Sequence, residues 1–240
     1  MNGLPVFGAN IQNAYLQAPT TENHYIICGT EFGLENVGKK AIIVRALYGG
    51  KSAGADYWKH VRKAMDKMNF TLCKADPEVW MRPGVKYDGT EYWKYVLLYS
   101  DDIICVMENC EKFLCEEMGQ RFTLKVKLIG SPTQYLVNKF SKVTFANGAS
   151  CWSFSSSQYV QSAVKNVEYN LNKSREKFPP RVKSPGPTKY RPEYDVSPEL
   201  SSLKTMYFQS LIGVLGWIIE LGRADLVMET SALAYMMALP

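Results

Sequence analysis

Two adjacent carboxylates, Asp101 and Asp102, are the residues of this 240-residue chain whose types and spacing best suit chemistry. Continuous apolar runs flank them at 95–99 and 103–107, which is typical of strands buried on both faces. A tight turn usually contains Asn-Gly or Asp-Gly because it needs positive φ, so Asp-Asp is a poor choice for a turn alone. Like charges held side by side are costly unless a cation neutralises them. The pair therefore suits a Mg²⁺ ion held against phosphates, and an acidic surface turn is the alternative.

The elements that must position this hairpin can be predicted from the spacing of apolar residues. Helical stripes run through 58–68, 113–118, 160–171 and 203–218, and a weaker fifth helix is expected over 224–238. Asn109 is a candidate N-cap for the second of these helices. Strands are expected near 6–13, 71–81, 92–99, 103–107, 134–143 and 151–154. This order of strands and helices predicts an α+β fold with helices on one face of a sheet. The tryptophans are interpreted as core residues: Trp58, Trp80, Trp93, Trp152 and Trp217.

Proline and charge divide the chain. Half of the twelve prolines lie within 179–198, where a regular helix or an inner strand cannot form, so a linker is expected there. The segment 165–191 contains eight basic residues and two acids, whereas the whole chain has a net charge of only +5. A local basic segment suits a nucleic-acid backbone, and a solvated lysine-rich linker is the alternative.

Membrane and secretory segments are not expected. The longest strongly apolar stretch, 211–219, is far shorter than the roughly 18 residues of a membrane span. The first residues lack a basic region followed by an apolar core, so no signal peptide is expected. The six cysteines do not have zinc-ligand spacing. We therefore expect reduced thiols and an intracellular protein, in the cytoplasm or nucleus, with no membrane partner.

Several short motifs resemble those of reverse transcriptases of the Ty1/copia retrotransposon class. Tyr99-Ser100-Asp101-Asp102 resembles the Tyr-x-Asp-Asp box of these enzymes. Five further segments match in family order: Asn13-Ala14-Tyr15-Leu16, the stretch 45–54 around Ala46-Leu47-Tyr48-Gly49, Asp76-Pro77-Glu78-Val79-Trp80, Tyr135-Leu136, and the stretch 207–213 followed by Arg223-Ala224-Asp225. Together these matches extend over nearly all of the chain.

The resemblance implies a fold and a domain order. It implies a reverse-transcriptase palm with a ferredoxin-like β-α-β-β-α-β core and partial fingers, carrying a thumb-like helix, over 1–172. A proline-rich basic linker is expected at 173–198. A helical connection segment, ending before any ribonuclease H domain, is expected at 199–240.

The same resemblance implies an activity, RNA-directed DNA polymerisation on an RNA or DNA template-primer with deoxynucleoside triphosphates. Two Mg²⁺ ions would serve this reaction, held by three aspartates. Asp101 and Asp102 match two of the three metal ligands, but the position of the first catalytic aspartate is occupied by Asn10. Asparagine lacks the negative charge and the second equivalent oxygen, so activity is expected to be weak or lost. The alternatives are a polymerase in which another acid substitutes and a non-catalytic remnant that at most binds nucleic acid.

The remaining site residues are also carried over from the resemblance. Arg45, Tyr48 and Lys51 are expected near the incoming nucleotide or the template, with surface cations and a packed aromatic ring as the alternatives. Tyr135 and Leu136 correspond to the primer grip. Val137 replaces the glycine that is usual there, and a β-branched residue does not adopt positive φ cheaply.

Overall fold

The computed structural model describes residues 3–178 and 198–238. The chain divides into two compact units, Met1–Tyr135 and Leu136–Pro240. Helices and antiparallel strands are mixed along the chain, as the sequence predicts. Most of the predicted linker, 179–197, lies outside the described residues, so the predicted domain boundary there stays a prediction.

The first unit is built on a five-stranded antiparallel sheet with the strand order β1-β7-β6-β5-β4. Its strands are β1 (Val6–Asn10), β4 (Thr71–Leu72), β5 (Val79–Val85), β6 (Glu91–Tyr99) and β7 (Asp102–Val106). β6 and β7 form the predicted hairpin, and β1 pairs with the outer side of β7. β5 and β1 flank the hairpin in the sheet. Three successive residues of β7, Ile103–Cys105, are buried, so both faces of that strand are covered, whereas buried and half-buried residues alternate over the second half of β6.

The predicted strand over 71–81 is wrong as a single element. The chain leaves the sheet after Leu72 and returns at Val79. In the gap, the Asp76 side chain accepts a hydrogen bond from the Glu78 backbone N–H at 2.8 Å. Pro77 has no backbone N–H to donate to a ladder, so the segment forms a turn instead.

Helix α2 (Ala53–Lys67) contributes its apolar face to the same core as the sheet. Tyr57, Val61 and Met65 on that face are buried. The helix ends at Lys67, and Asn69, which follows the C-cap residue Met68, has a φ of +59°, the left-handed conformation that asparagine tolerates after a helix. Trp80 is almost fully buried as predicted, but Trp58 and Trp93 are 42% and 46% exposed, so their interpretation as core residues is wrong.

Shorter elements complete the first unit. A two-stranded antiparallel sheet, β2 (Tyr25–Ile27) with β3 (Lys40–Ile42), was not predicted from the sequence. Its strands are only three residues long, and much of their apolar surface is exposed. Further elements are α1 (Ala14–Gln17), α3 (Cys110–Lys112) continued by a π-helical turn at Phe113–Met118, β8 (Gln134–Tyr135), and 3₁₀ turns at Thr30–Phe32, Leu34–Asn36 and Val126–Leu128. Asn109 does not cap α3, because its side chain pairs with the Tyr87 hydroxyl.

The second unit combines a hairpin with helices. β9 (Asn138–Thr144) pairs in antiparallel register with β10 (Ser150–Ser155), and Phe140 packs against Trp152. The helices are α4 (Ser157–Lys173), α5 (Ser202–Glu220) and α6 (Val227–Tyr235), with 3₁₀ turns at Ala224–Leu226 and Met236–Ala238. Among residues 3–178 and 198–238, no helix combines the length and the hydropathy of a membrane span.

Candidate functional site

The tip of the β6–β7 hairpin lies beside the end of β1. Asn10 is the register partner of Asp102, and the backbone N–H of Ile11 donates to the Asp101 carbonyl at 2.7 Å. Ser100 turns the chain with a φ of +51°. On the other side, the Asn10 carbonyl accepts the Lys125 N–H at 2.9 Å. The backbone therefore fixes Asn10, Asp101 and Asp102 next to one another, although some 90 residues separate them in sequence.

The Asn10 side chain bridges the two carboxylates. Its Nδ2 donates to Asp101 Oδ2 and to Asp102 Oδ1, each at 2.9 Å. Its Oδ1 is buried and meets no hydrogen-bond donor among the described residues. The amide group thus turns the positive end of its dipole toward both acids and provides compensation that a cation would otherwise supply.

This arrangement does not fit a two-ion magnesium centre. A metal ligand must present a lone pair, but the group at position 10 presents two N–H donors to the acids. Within the parts of the chain that the structure describes, no group of three or more histidine, cysteine, aspartate or glutamate side chains is placed to hold a metal ion. Asp101 and Asp102 are the two carboxylates at the hairpin tip, and among residues 3–178 and 198–238 no third acidic, histidine or cysteine side chain joins them.

Tyr57 of α2 contacts the turn of the β6–β7 hairpin. Its hydroxyl donates to the Ser100 carbonyl at 2.8 Å. Burial, and then the negative charge of Asp101, raises the pKa of the phenol well above its ordinary value, so Tyr57 stays a neutral donor. Reasoning from sequence did not assign this role, although the position of Tyr57 on the α2 apolar stripe, one turn before Val61, could have marked it as buried.

The predicted nucleotide or template residues lie at different distances from this tip. Tyr48 stacks on Tyr15 with ring centroids 4.9 Å apart, and Tyr15 lies 5.3 Å from the Tyr57 ring, so a series of rings joins Tyr48 to the hairpin. Arg45 donates from Nη1 to the Gln17 carbonyl at 3.0 Å. Lys51 is exposed just before α2. The structure therefore connects Tyr48 to the candidate site through packing and gives no contact between the carboxylates and either cation.

The two predicted primer-grip residues are Tyr135, the last residue of the first unit, and Leu136, the first residue of the second. Tyr135 is buried, and burial followed by the charges of Glu78 and Asp102 raises the pKa of its phenol. Leu136 and Val137 both have positive φ, +46° and +62°. Val137 therefore has the backbone conformation that favours glycine, as the resemblance led us to expect. Left-handed geometry costs a β-branched residue about 1–2 kcal/mol.

A cleft of about 450 Å³ opens next to the hairpin tip. Its lining is mainly aromatic and apolar and includes Tyr15, Trp58, Trp80 and Tyr99. Glu78 also lines this cleft, and burial, followed by the charge of Asp76, raises the pKa of its carboxyl group. The arrangement can accommodate a flat ring beside an acidic edge.

Comparison with known proteins adds no relative: no family model, curated protein or solved structure matches the chain.

Proposed function

We propose that this chain is a palm of the Ty1/copia reverse-transcriptase type, an RNA-directed DNA polymerase domain whose nucleotidyl transfer is weakened or abolished at Asn10. The observation that carries the proposal is the position of Asn10. It lies directly opposite Asp102 on the strand that borders the hairpin, with its side chain between the two acids. The order strand, helix, hairpin and helix in β1, α2, β6–β7 and α3 supports the proposed palm core.

The proposed loss of activity follows from the chemistry of the amide. Nucleotidyl transfer by the two-ion route requires acceptor oxygens and negative charge around the metal-bound phosphates. Asn10 supplies one carbonyl oxygen at most and no negative charge, and its N–H₂ group is already hydrogen-bonded to both hairpin acids. Each ~1.4 kcal/mol of lost transition-state stabilisation reduces the rate tenfold. We expect the loss of this ligand to reduce the rate by at least about 100-fold.

The second candidate is a non-catalytic nucleic-acid-binding protein. It is favoured by the same amide bridge, since the bridge gives the hairpin acids a partner that requires no bound cation. The basic segment 165–191 could then supply phosphate contacts; its residues 179–191 lie outside the described residues. Salt-dependent binding of RNA or DNA without nucleotide incorporation would identify this candidate.

The decisive experiment is primer extension with Mg²⁺ on an RNA template, comparing the native chain with Asn10→Asp. We expect the variant to gain at least about 100-fold in extension. The matched control is Asn10→Asp combined with Asp102→Asn, which has the same two acids and one amide as the native chain but in another order, and should stay inactive.

Two results would overturn the proposal. The first is full extension by the native chain, because Asn10 would then not limit the reaction. The second is failure of Asn10→Asp both to extend primers and to bind Mg²⁺ or Mn²⁺ in calorimetric titration, because a palm site restored to three acids must at least bind the metal.

A further inference from the structure

The exposed face of helix α2 combines basic residues with an accessible tryptophan. Lys59, Lys63 and Lys67 are spaced four residues apart and form one row along the helix. With a rise of 1.5 Å per residue, neighbouring lysines in this row lie about 6 Å apart along the axis. This spacing is comparable with that between successive phosphates of an extended single strand.

A second row on the same face contains an aromatic ring. Trp58 is 42% exposed, and the Arg62 guanidinium lies over its ring at 5.3 Å from the centroid. Both residues line an open, nearly flat surface of α2 together with the lysine row. Asp66 is the one carboxylate in that lining, against four cations. Charge complementarity therefore favours an anionic partner, and the accessible indole favours one that offers flat rings.

Trp58 also lines the aromatic cleft beside the hairpin tip, so the basic surface and the cleft meet at this residue. His60, its neighbour in the helix, does not belong to the basic face. It packs edge-on against Phe122 at 5.4 Å, and burial is the main cause that lowers its pKa. The basic face thus owes its charge to lysine and arginine side chains and not to His60.

We propose that this face, formed by Trp58, Lys59, Arg62, Lys63 and Lys67, binds single-stranded nucleic acid, with the lysine row along the phosphates and Trp58 stacked on a base. This combination of a cationic track and a stacking ring binds single strands with little preference for sequence. The inference does not depend on the proposed polymerase chemistry, because no residue of the face contacts Asp101 or Asp102 and no metal ion is required.

The test is a titration of fluorescein-labelled oligothymidylate with the full chain in EDTA, followed by anisotropy over a series of salt concentrations. Lys59→Ala, Lys63→Ala and Lys67→Ala combined should reduce the slope of log K against log salt by about 2, since each phosphate contact on a single strand contributes about 0.7. The matched control combines Lys39→Ala, Lys74→Ala and Lys127→Ala, three exposed lysines elsewhere in the first unit, and should leave the slope unchanged.

Trp58→Ala provides an independent readout. It should weaken binding roughly tenfold or more and leave the salt slope unchanged, because it removes a stacking ring and no charge. Ultraviolet cross-linking of the native chain to the same strand should label the peptide that contains Trp58, and this measurement needs no variant to fold.

Three results would overturn the inference: equal salt slopes for the two triple variants, an unchanged affinity for Trp58→Ala, or cross-links that exclude this peptide. Inorganic polyphosphate serves as a probe without bases. Equal competition by polyphosphate against the native chain and against Trp58→Ala, together with equal affinity of the two chains for the oligonucleotide, would mean that Trp58 does not stack on a base. The face would then be a general anion surface, and the proposal would be wrong. Because the titration contains EDTA, its failure can be distinguished from failure of the polymerase proposal.

Discussion

Replacing Asn10 by aspartate should destabilise the first unit without divalent cations and make its stability depend on them. In the native chain one amide nitrogen donates to both hairpin carboxylates at 2.9 Å. The substitution removes both of these hydrogen bonds and adds a third negative charge at the same point. The structure thus predicts a conversion from a self-compensated site to one that requires an external cation.

The expected loss in the free energy of unfolding can be calculated from these contacts. Hydrogen bonds to charged groups contribute about 1.5–3 kcal/mol each. Two carboxylates about 4 Å apart repel by about 4 kcal/mol at the effective dielectric constant of a protein surface. Asp101 and Asp102 are only half-buried, so solvent screens part of this repulsion. The two lost hydrogen bonds account for about 3–6 kcal/mol. With the screened repulsion added, we expect the free energy of unfolding to fall by at least about 3 kcal/mol in EDTA.

The assay is urea unfolding of the native chain and of Asn10→Asp, each in EDTA and in MgCl₂. Metal present at about 100 times its dissociation constant would restore about 2.7 kcal/mol to the variant, whereas the native chain should respond little. The double variant Asn10→Asp with Asp102→Asn controls for composition and should respond less than the single variant. The reasoning is refuted if Asn10→Asp is as stable as the native chain in EDTA, or if MgCl₂ stabilises both chains equally.

Two further predictions concern stability away from the hairpin. Val137→Gly should raise the free energy of unfolding by about 0.5–1 kcal/mol in denaturant titration, because the φ of Val137 is +62°, which glycine adopts without strain. The control Val143→Gly in β9 should lower the free energy of unfolding. Destabilisation by Val137→Gly would contradict the argument that Val137 is strained. Arg82 donates to both carboxylate oxygens of Glu117 at 2.7 and 3.0 Å, which lowers the pKa of Glu117 below its ordinary 4.5. The stabilisation is therefore complete above about pH 5 and is lost as pH falls through the lowered pKa. Glu117→Gln should cost about 1 kcal/mol at pH 7, because the carboxylate is 39% exposed and its ion pair is partly screened. This cost should shrink as pH falls through the lowered pKa, and a pH-independent difference would exclude the ion pair as its cause.

Local pattern was sufficient for much of the sheet and its principal helix. The paired apolar runs around Asp101 and Asp102 predicted a buried hairpin, and helical spacing predicted the buried stripe of α2. The resemblance at 13–16 predicted that Asn10 lies beside Asp101 and Asp102, and the structure places it there. These features can be predicted from the sequence because side-chain periodicity and residue identity are local properties of the chain.

The short β2–β3 sheet and the exposure of Trp58 were not predicted. Strands of three residues give too few positions for a periodic signal. Trp58 is apolar and lies within the helical pattern, but its direction places it beside Arg62 on the outer face of α2. Helical spacing assigns a face only to within about one residue position, so a tryptophan at the edge of the stripe can be buried or exposed.

The sequence by itself determined which side chains the candidate site contains, two acids and one amide, and which strands carry them. Only the tertiary structure decided that the Asn10 amide donates to both acids and that Tyr57 holds the turn through the Ser100 carbonyl. Such contacts depend on the register between strands that are distant in the chain, and on rotamers selected by packing around them. Register and packing are set by the whole sheet, so no local pattern encodes them.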